Sequence, residues 1–250
     1  MPETLLYEGK AKRVFATDDA AVLLHRYKDD ATAFNAQKRG SWKDKGKTNA
    51  TMSAAMFAFL KENGVPSHFI EQVDETTIKT RRLTMLPVEV VVRNLAAGSL
   101  SRLLGLEEGR QLRAPIIELC YKNDALGDPL LNWHHFRELG VSDEELGFCE
   151  GLGLKVNGIL APFFDERGVT LVDFKIEVGR DGGGRLMLAD EISPDTCRFW
   201  DKETGERLDK DRFRRDLGGM EEAYAEMLRR VVEPSAISGQ QSAKREDDKT

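Results

Sequence analysis

Only three cysteines occur in 250 residues, Cys120, Cys149 and Cys197, and no two of them form a CxxC pair. That excludes a zinc ribbon and a dithiol redox motif. The four histidines, His25, His68, His134 and His135, show no HExxH or other metal-ligand spacing. No apolar run approaches the roughly 18 residues of a membrane span. The start, MPETLLYEGK, lacks the apolar stretch of a secretory signal, so the expected address is the cytosol with reduced thiols. Neither GxGxxG nor GxxxxGK[ST] is present. Basic residues are outnumbered, 37 against 43, for a net charge of −6. A sequence-blind nucleic-acid binder needs the opposite balance. A local basic pocket for a phosphorylated metabolite remains compatible with it. There is no internal repeat, and low complexity is confined to 234–250, which holds one large aliphatic residue, Ile237. That stretch reads as a disordered tail that folding and activity can do without.

What is present is ordinary for a globular chain, with 40% apolar and 32% charged residues. Leu5–Phe15 and Ala20–Tyr27 read as strands, and Phe34–Thr48 as a polar, mobile loop. Met52, Ala55, Met56, Phe59 and Leu60 follow a helical period, with Thr48 or Asn49 as cap and Gly64 as the end. Strands follow over 67–73, 76–82 and 88–93, then a helix over 96–106. Ser142-Asp-Glu-Glu145 is a capping box, and 154–164 suits another helix, kinked by Pro162. Thr170–Gly179 and Arg185–Glu191 read as a strand pair. Asp209 is placed to cap one long final helix with Leu217, Met220, Tyr224, Met227, Leu228 and Val231 facing inward. The expected class is α+β with mainly antiparallel sheets. It divides into 1–86, 87–233 and the tail 234–250, hinged near Leu83–Pro87.

Thr170–Gly179 reads TLVDFKIEVG, and side chains alternate along a strand. Val172, Phe174, Ile176 and Val178 then share one face, while Asp173, Lys175 and Glu177 share the other. If Glu177 pairs with Asp190 across the hairpin, the two carboxylates can share a hard cation such as Mg²⁺. Lys10 and Lys12, in Glu8-Gly-Lys-Ala-Lys12, are placed to grip phosphates. Arg93 ends an apolar strand ahead of Gly98-Ser99. Tyr121-Lys-Asn-Asp124 with Asp128-Pro129 crowds polar groups at a turn, and Arg212, Arg214 and Arg215 cluster near the chain's end. Taken singly, each segment also reads as a solvated strand face, a hairpin, a turn or a charge run.

Their order along the chain is more specific. LYEGKAK, LPVEVVVRNLAAGSL, YKNDALGDP, LVDFKIE, LADEISPDTCRFWD and DKDRFRRDLGG together resemble the phosphoribosylaminoimidazole-succinocarboxamide synthase (SAICAR synthetase) family, from about Leu5 to Val232. The resemblance implies an ATP-dependent ligase of purine biosynthesis. It would join the carboxylate of a carboxyaminoimidazole ribonucleotide to the amine of L-aspartate, giving the succinocarboxamide, ADP and phosphate. It implies two α+β lobes, distantly like a protein kinase, with ATP between them. Lys10, Lys12, Met85, Lys122 and Asp128 would lie in the ATP site. Glu177 and Asp190 would hold Mg²⁺. Arg93, Ser99, Asp195, Arg198 and Arg214 would bind the ribonucleotide, and Asp173 and Lys175 would act in catalysis. Aspartate is expected near Lys45-Gly46. The implied partners are these small molecules, with no nucleic acid and no membrane; a homo-oligomer is left open. A phosphotransferase on another small metabolite, or a nucleotide-binding regulator, stays as an alternative. One departure is Ala50, where the family usually has a second asparagine.

Overall fold

The computed structural model describes residues 4–33 and 37–233. The tail 234–250 and residues 34–36 of the expected loop lie outside them. Five strands form a first antiparallel sheet: β1 (Thr4–Glu8), β2 (Lys12–Ala16), β3 (Val22–Tyr27), β6 (Phe69–Gln72) and β7 (Thr77–Arg81), in the order β1-β2-β3-β7-β6. A second antiparallel sheet contains β8 (Thr84–Leu95), β9 (Gln111–Tyr121), β10 (Val169–Arg180), β11 (Leu186–Ala189) and β12 (Cys197–Asp201). Its order is β11-β10-β8-β9, with β12 also paired to β10. The α+β, antiparallel expectation is met. The boundary at 86/87 falls inside β8, which runs without interruption from Thr84 to Leu95. The two sheets also touch at a bridge between Ser67 and Leu188, where the His68 N–H donates to the Leu188 carbonyl at 2.8 Å.

β10 lies inside the second sheet, and its apolar face follows the expected alternation from Phe174 onward. Phe174, Ile176 and Val178 are buried together with Val88, Val90 and Val92 of β8. An irregularity between Leu171 and Asp173 puts Leu171, not Val172, in that core, and Val172 is buried outside it. Helix α4 (Asp143–Asp165) covers this face with Leu152, Val156, Leu160 and Phe164. Ser142 caps α4 in a reciprocal pair with Glu145, as the motif predicts. The helix is one element rather than two and runs through Pro162 to Asp165. Its four interior glycines obscure that continuity in the sequence, and burial against the sheet overrides their poor propensity.

Three other expectations need correction. Residues 34–48 do not form one loop: β4 (Asp30–Ala33) pairs with β5 (Lys38–Ser41), and α1 (Lys45–Glu62) begins several residues before Thr48. The first turn of α1 is capped from a distance, because the Gly46 N–H donates to the Asp29 carboxylate at 2.8 Å. A side chain at Gly46 would begin 2.9 Å from the Tyr27 carbonyl oxygen, so only glycine fits. The helix expected over 96–106 is the single short α2 (Ser99–Leu104). The final helix is broken into α5 (Asp211–Arg214) and α6 (Met220–Val232) by Gly218 and Gly219, both at positive φ. Leu217 consequently stays half exposed instead of facing inward.

Two glycines of α4 separate packing from propensity. Gly153 faces Val92 and Val90, so a new Cβ would sit 3.0 and 3.1 Å from their methyl groups, whereas Gly158 has nothing within 4 Å. Gly158→Ala should stabilise by about 0.5–1 kcal/mol through helix propensity. Gly153→Val should destabilise by about 1–3 kcal/mol through overpacking. Urea titration of the two variants checks both signs.

Candidate active site

The polar face of β10 is set by its neighbours. Asp173 stands opposite Arg93 of β8 and Arg198 of β12, and Glu177 stands opposite Glu89 of β8. Cross-strand partners share a face, so acids and bases are interleaved on one side of the sheet. This face is not a solvated surface, because Asp173 and Glu177 are both buried. Glu177 pairs with Ala189, not Asp190, which corrects the expected register. Asp190 follows β11 at a left-handed φ of 68°, a conformation that aspartate tolerates better than most residues. The turn still brings its carboxylate alongside Glu177. Lys175 Nζ lies 2.8 Å from Glu89, 3.0 Å from Glu177 and 3.2 Å from Asp190.

These groups line a cleft of about 410 Å³ between the first sheet's β1–β2 turn and the second sheet. Lys12 enters it from the first sheet and pairs with Asp190 at 2.6 Å and Glu191 at 2.8 Å. Lys122 bonds Glu177, and Lys10 pairs with Asp124 at 2.7 Å. Asp128 also lines the cleft, its carboxylate accepting the Asn123 N–H at 2.9 Å. Burial alone would lower Lys12 and Lys175. The carboxylates of Asp190 and Glu191 around the first, and of Glu177, Asp190 and Glu89 around the second, outweigh burial and hold both ammonium groups well above the usual lysine range. Asp190 shows the reciprocal effect, with Lys12, Lys175 and Lys122 overcoming burial to hold it well below the usual carboxylate range. Met85 stands apart from the cluster, at the start of β8 and 39% exposed.

A second cavity of about 190 Å³ joins the first through Lys175, Asp195 and Thr196. Arg93, Ser99, Asp173, Arg198 and Arg214 line it. Asp173 Oδ2 accepts from Arg93 at 2.8 Å and Arg198 at 2.6 Å, and Arg93 also donates to Ser99 Oγ at 2.8 Å. Asp195 sits between the cavities with both oxygens engaged by the protein itself. Oδ2 meets Lys45 at 2.8 Å and Lys210 at 3.2 Å, and Oδ1 accepts from Tyr224 at 2.6 Å. Of the ATP, metal, ribonucleotide and catalytic residues named from the sequence, the structure gathers all but Met85 around the two cavities. Arg212 and Arg215 of the basic cluster lie outside them, donating to the Gly218 carbonyl and to Glu108. Sequence reasoning missed Glu89, Glu118, which accepts from Arg93, and Tyr224 as a polar contact. Glu89 had a signal: it is the one acid in Leu86–Val92 and shares its strand face with Arg93. Ala50, the departure, is buried against Tyr27, Ala54 and Ile78, away from both cavities.

Two joined cavities, one lined by lysines and carboxylates and the other by arginines, define an enzyme-like site for two anionic ligands side by side. The chain matches the family model of SAICAR synthetase over residues 5–231, and it belongs to that family. It is 55% identical over 227 residues to the phosphoribosylaminoimidazole-succinocarboxamide synthase of Deinococcus radiodurans, covering 90% of this chain and 96% of that protein. Among solved structures, a SAICAR synthetase in complex with ADP superimposes with a TM-score of 0.89 at 48% identity, covering 92% of this chain and 98% of that one. The phosphoribosylaminoimidazole-succinocarboxamide synthase of Ehrlichia chaffeensis superimposes equally well, with a TM-score of 0.89 at 41% identity, covering 91% and 98%.

The Asp195 cluster yields a pH prediction. Burial would raise its carboxyl, but Lys210 and Lys45 reverse that and hold it far below the usual range. A depressed folded-state pKa stabilises above the unfolded value, near 4, and that stabilisation is lost as pH falls further. Stability should therefore decline below about pH 4 through this group. Lys45→Met should cost about 2 kcal/mol at neutral pH, under the roughly 3–5 kcal/mol of a fully orphaned buried charge, because Lys210 and Tyr224 remain. Its acid decline should be shallower than the parent's. Denaturant titrations from about pH 2.5 to 7 measure both.

Proposed function

We propose that this chain is an ATP-dependent carboxylate–amine ligase. It joins the carboxylate of 5-amino-1-(5-phosphoribosyl)imidazole-4-carboxylate to L-aspartate, releasing ADP and phosphate. The observation that carries this reading is the pair of joined cavities, whose shared wall includes Lys175, in a chain of this family. A carboxylate is a poor acyl donor, and transfer of a phosphoryl group to it creates a leaving group. The two reactants must then lie side by side with their repulsion screened. Lys10, Lys12 and Lys122 are assigned to the ATP phosphates. Arg93, Arg198 and Arg214 are assigned to the ribonucleotide's phosphate and carboxylate, Ser99 to the same ligand, and Asp173 holds two of those arginines in line. Lys175 is assigned to the junction where the phosphoryl group crosses. Met85 near adenine and aspartate near Lys45-Gly46 rest on the resemblance alone.

The donor set fits Mg²⁺. Glu177 and Asp190 offer hard oxygens converging on one ammonium, and no group of three His, Cys, Asp or Glu among the described residues is poised to hold a metal unaided. That is the usual magnesium arrangement, in which one or two carboxylates act together with substrate phosphates. Bound there, the ion would neutralise phosphate charge. The first sheet with α1, and the second with α4, are proposed to act as lobes about the cleft. No helix among the described residues is long and apolar enough to cross a membrane. The cytosol belongs to the same proposal, and the three free thiols suit reducing surroundings.

ADP release in a coupled assay with the ribonucleotide should depend on L-aspartate. Equal release without it would favour a phosphotransferase acting on the ribonucleotide. Glu177→Ala frees Lys122 and Lys175 from their shared acid and should lower kcat by about 100-fold, partly restored by raised Mg²⁺. Near-normal turnover would return that carboxylate to a structural role. Arg214→Ala should raise KM for the ribonucleotide by about tenfold or more and leave KM for ATP nearly unchanged. Parallel shifts in both would mean that this arginine is assigned to the wrong ligand.

A further inference from the structure

Behind the arginine cavity lies an acid that the reaction above does not use. Asp209 is completely buried at the junction of β12 and α5. Its partners are backbone groups: Oδ2 accepts the Phe199 N–H at 2.8 Å and Oδ1 the Asp211 N–H at 2.6 Å. Phe199 follows Arg198 in β12, and Asp211 opens α5. The Asp211 carboxylate in turn accepts from Arg198 Nε at 2.9 Å and from Arg214 Nη1 at 2.5 Å. One rigid carboxylate thus ties a strand carrying one cavity arginine to a helical turn carrying the other.

We propose that Asp209 is a positioning residue of the arginine cavity. By clamping the backbones of Phe199 and Asp211 it fixes the Asp211 carboxylate, which aims Arg198 and Arg214 at an anionic ligand. This rests on the assignment of that cavity to the ribonucleotide. Burial, aided by the charge on Asp211, pushes the Asp209 carboxyl up to about 7. The other ionisable groups that face it keep one charge state near neutrality. Against the effect of burial, Arg198 and Arg214 hold Asp211 below its usual range. Arg198 is likewise held above its own by Asp173 and Asp211. Burial raises the Tyr224 hydroxyl and the Cys197 thiol, which stay protonated. Protonating Asp209 removes one acceptor oxygen, so the clamp loosens as pH falls through about 7.

Asp209→Asn keeps the volume but turns one acceptor into an NH₂ group facing an N–H. Steady-state kinetics on the full chain should show KM for the ribonucleotide raised about tenfold. KM for ATP and kcat should stay within about twofold. Adding Asp209→Asn to Asp211→Asn should change little further, because the first acts through the second. Parallel rises in both KM values, no rise at all, or multiplying effects in the double variant would overturn the proposal. Should Asp209→Asn fail to fold, the unmodified protein decides. Its ratio of KM for the ribonucleotide to KM for ATP should rise as pH falls from about 8 to 6, and a flat ratio would overturn it. Arg198→Ala measured alongside separates the two levels. If it leaves KM for the ribonucleotide unchanged, the cavity assignment itself fails; if only Asp209→Asn is silent, the positioning role alone fails.

Discussion

A row of charges can be buried only if each charge meets its opposite, and this constraint shapes the face of β10. Its apolar side is held by valines of β8 and by α4, an arrangement of ordinary hydrophobic burial. Its other side buries the Asp173 and Glu177 carboxylates beside Lys175, and an unmatched buried ion is costly. The neighbouring strands supply the matches: Arg93 from β8 and Arg198 from β12 for Asp173, and Glu89 from β8 for Lys175. Removing Asp173 would leave Arg93 and Arg198 facing each other without the acid they share. The same balance that stabilises the fold also gathers acids and bases within bonding distance of one another around the cavities.

The two cavities differ in how tightly their charges are held. In the larger cleft, lysines on flexible stems meet carboxylates of the second sheet and of the segments after β9 and β11, and the side chains of Lys10 and Lys122 are 42% and 44% exposed. Such contacts break cheaply when a ligand enters. In the smaller cavity the guanidinium groups are fixed by Asp173, Glu118 and Asp211, which are themselves buried. A planar fork held from behind loses little freedom on binding. The first arrangement suits a ligand that changes during a cycle, and the second suits one that must be held in a single orientation.

Much of this was legible in the amino-acid order. The period-two pattern identified both faces of β10 from Asp173 to Val178, because alternation is a property of the strand itself, but it missed the irregularity that puts Leu171 rather than Val172 in the core. The capping box of α4 was equally local. What escaped notice was set by distant partners. The early start of α1 depends on Asp29, 17 residues upstream. The register that places Glu177 opposite Ala189 runs regularly back to Arg180 opposite Leu186 and is set instead by the turn between them. Glu118 sits in an edge strand opposite Val91, and its arginine lies diagonally, two residues along β8, which nothing local announces. The break between α5 and α6 was written in Gly218-Gly219, yet the inward spacing of Met220, Tyr224 and Met227 masked it. Local chemistry is readable where a residue's role is decided within one turn or one strand, and unreadable where it is decided by tertiary contact.

The distant cap on α1 has a consequence for assembly. Most helices close their first turn with a side chain of their own, so the turn can form before the rest of the fold. Here Asp44, the residue ahead of the helix, adopts a left-handed conformation and offers no side-chain cap. The Gly46 N–H is satisfied only when the segment after β3 lies in place, and Lys45 has its acid only when the loop after β11 does. The apolar two-thirds of α1, with Met52, Met56, Phe57 and Leu60 in the common core, can gather independently of both. The order implied is a helix that nucleates from its middle and completes its N-terminal turn late, in the same event that brings Asp195 to its lysines and joins the two cavities.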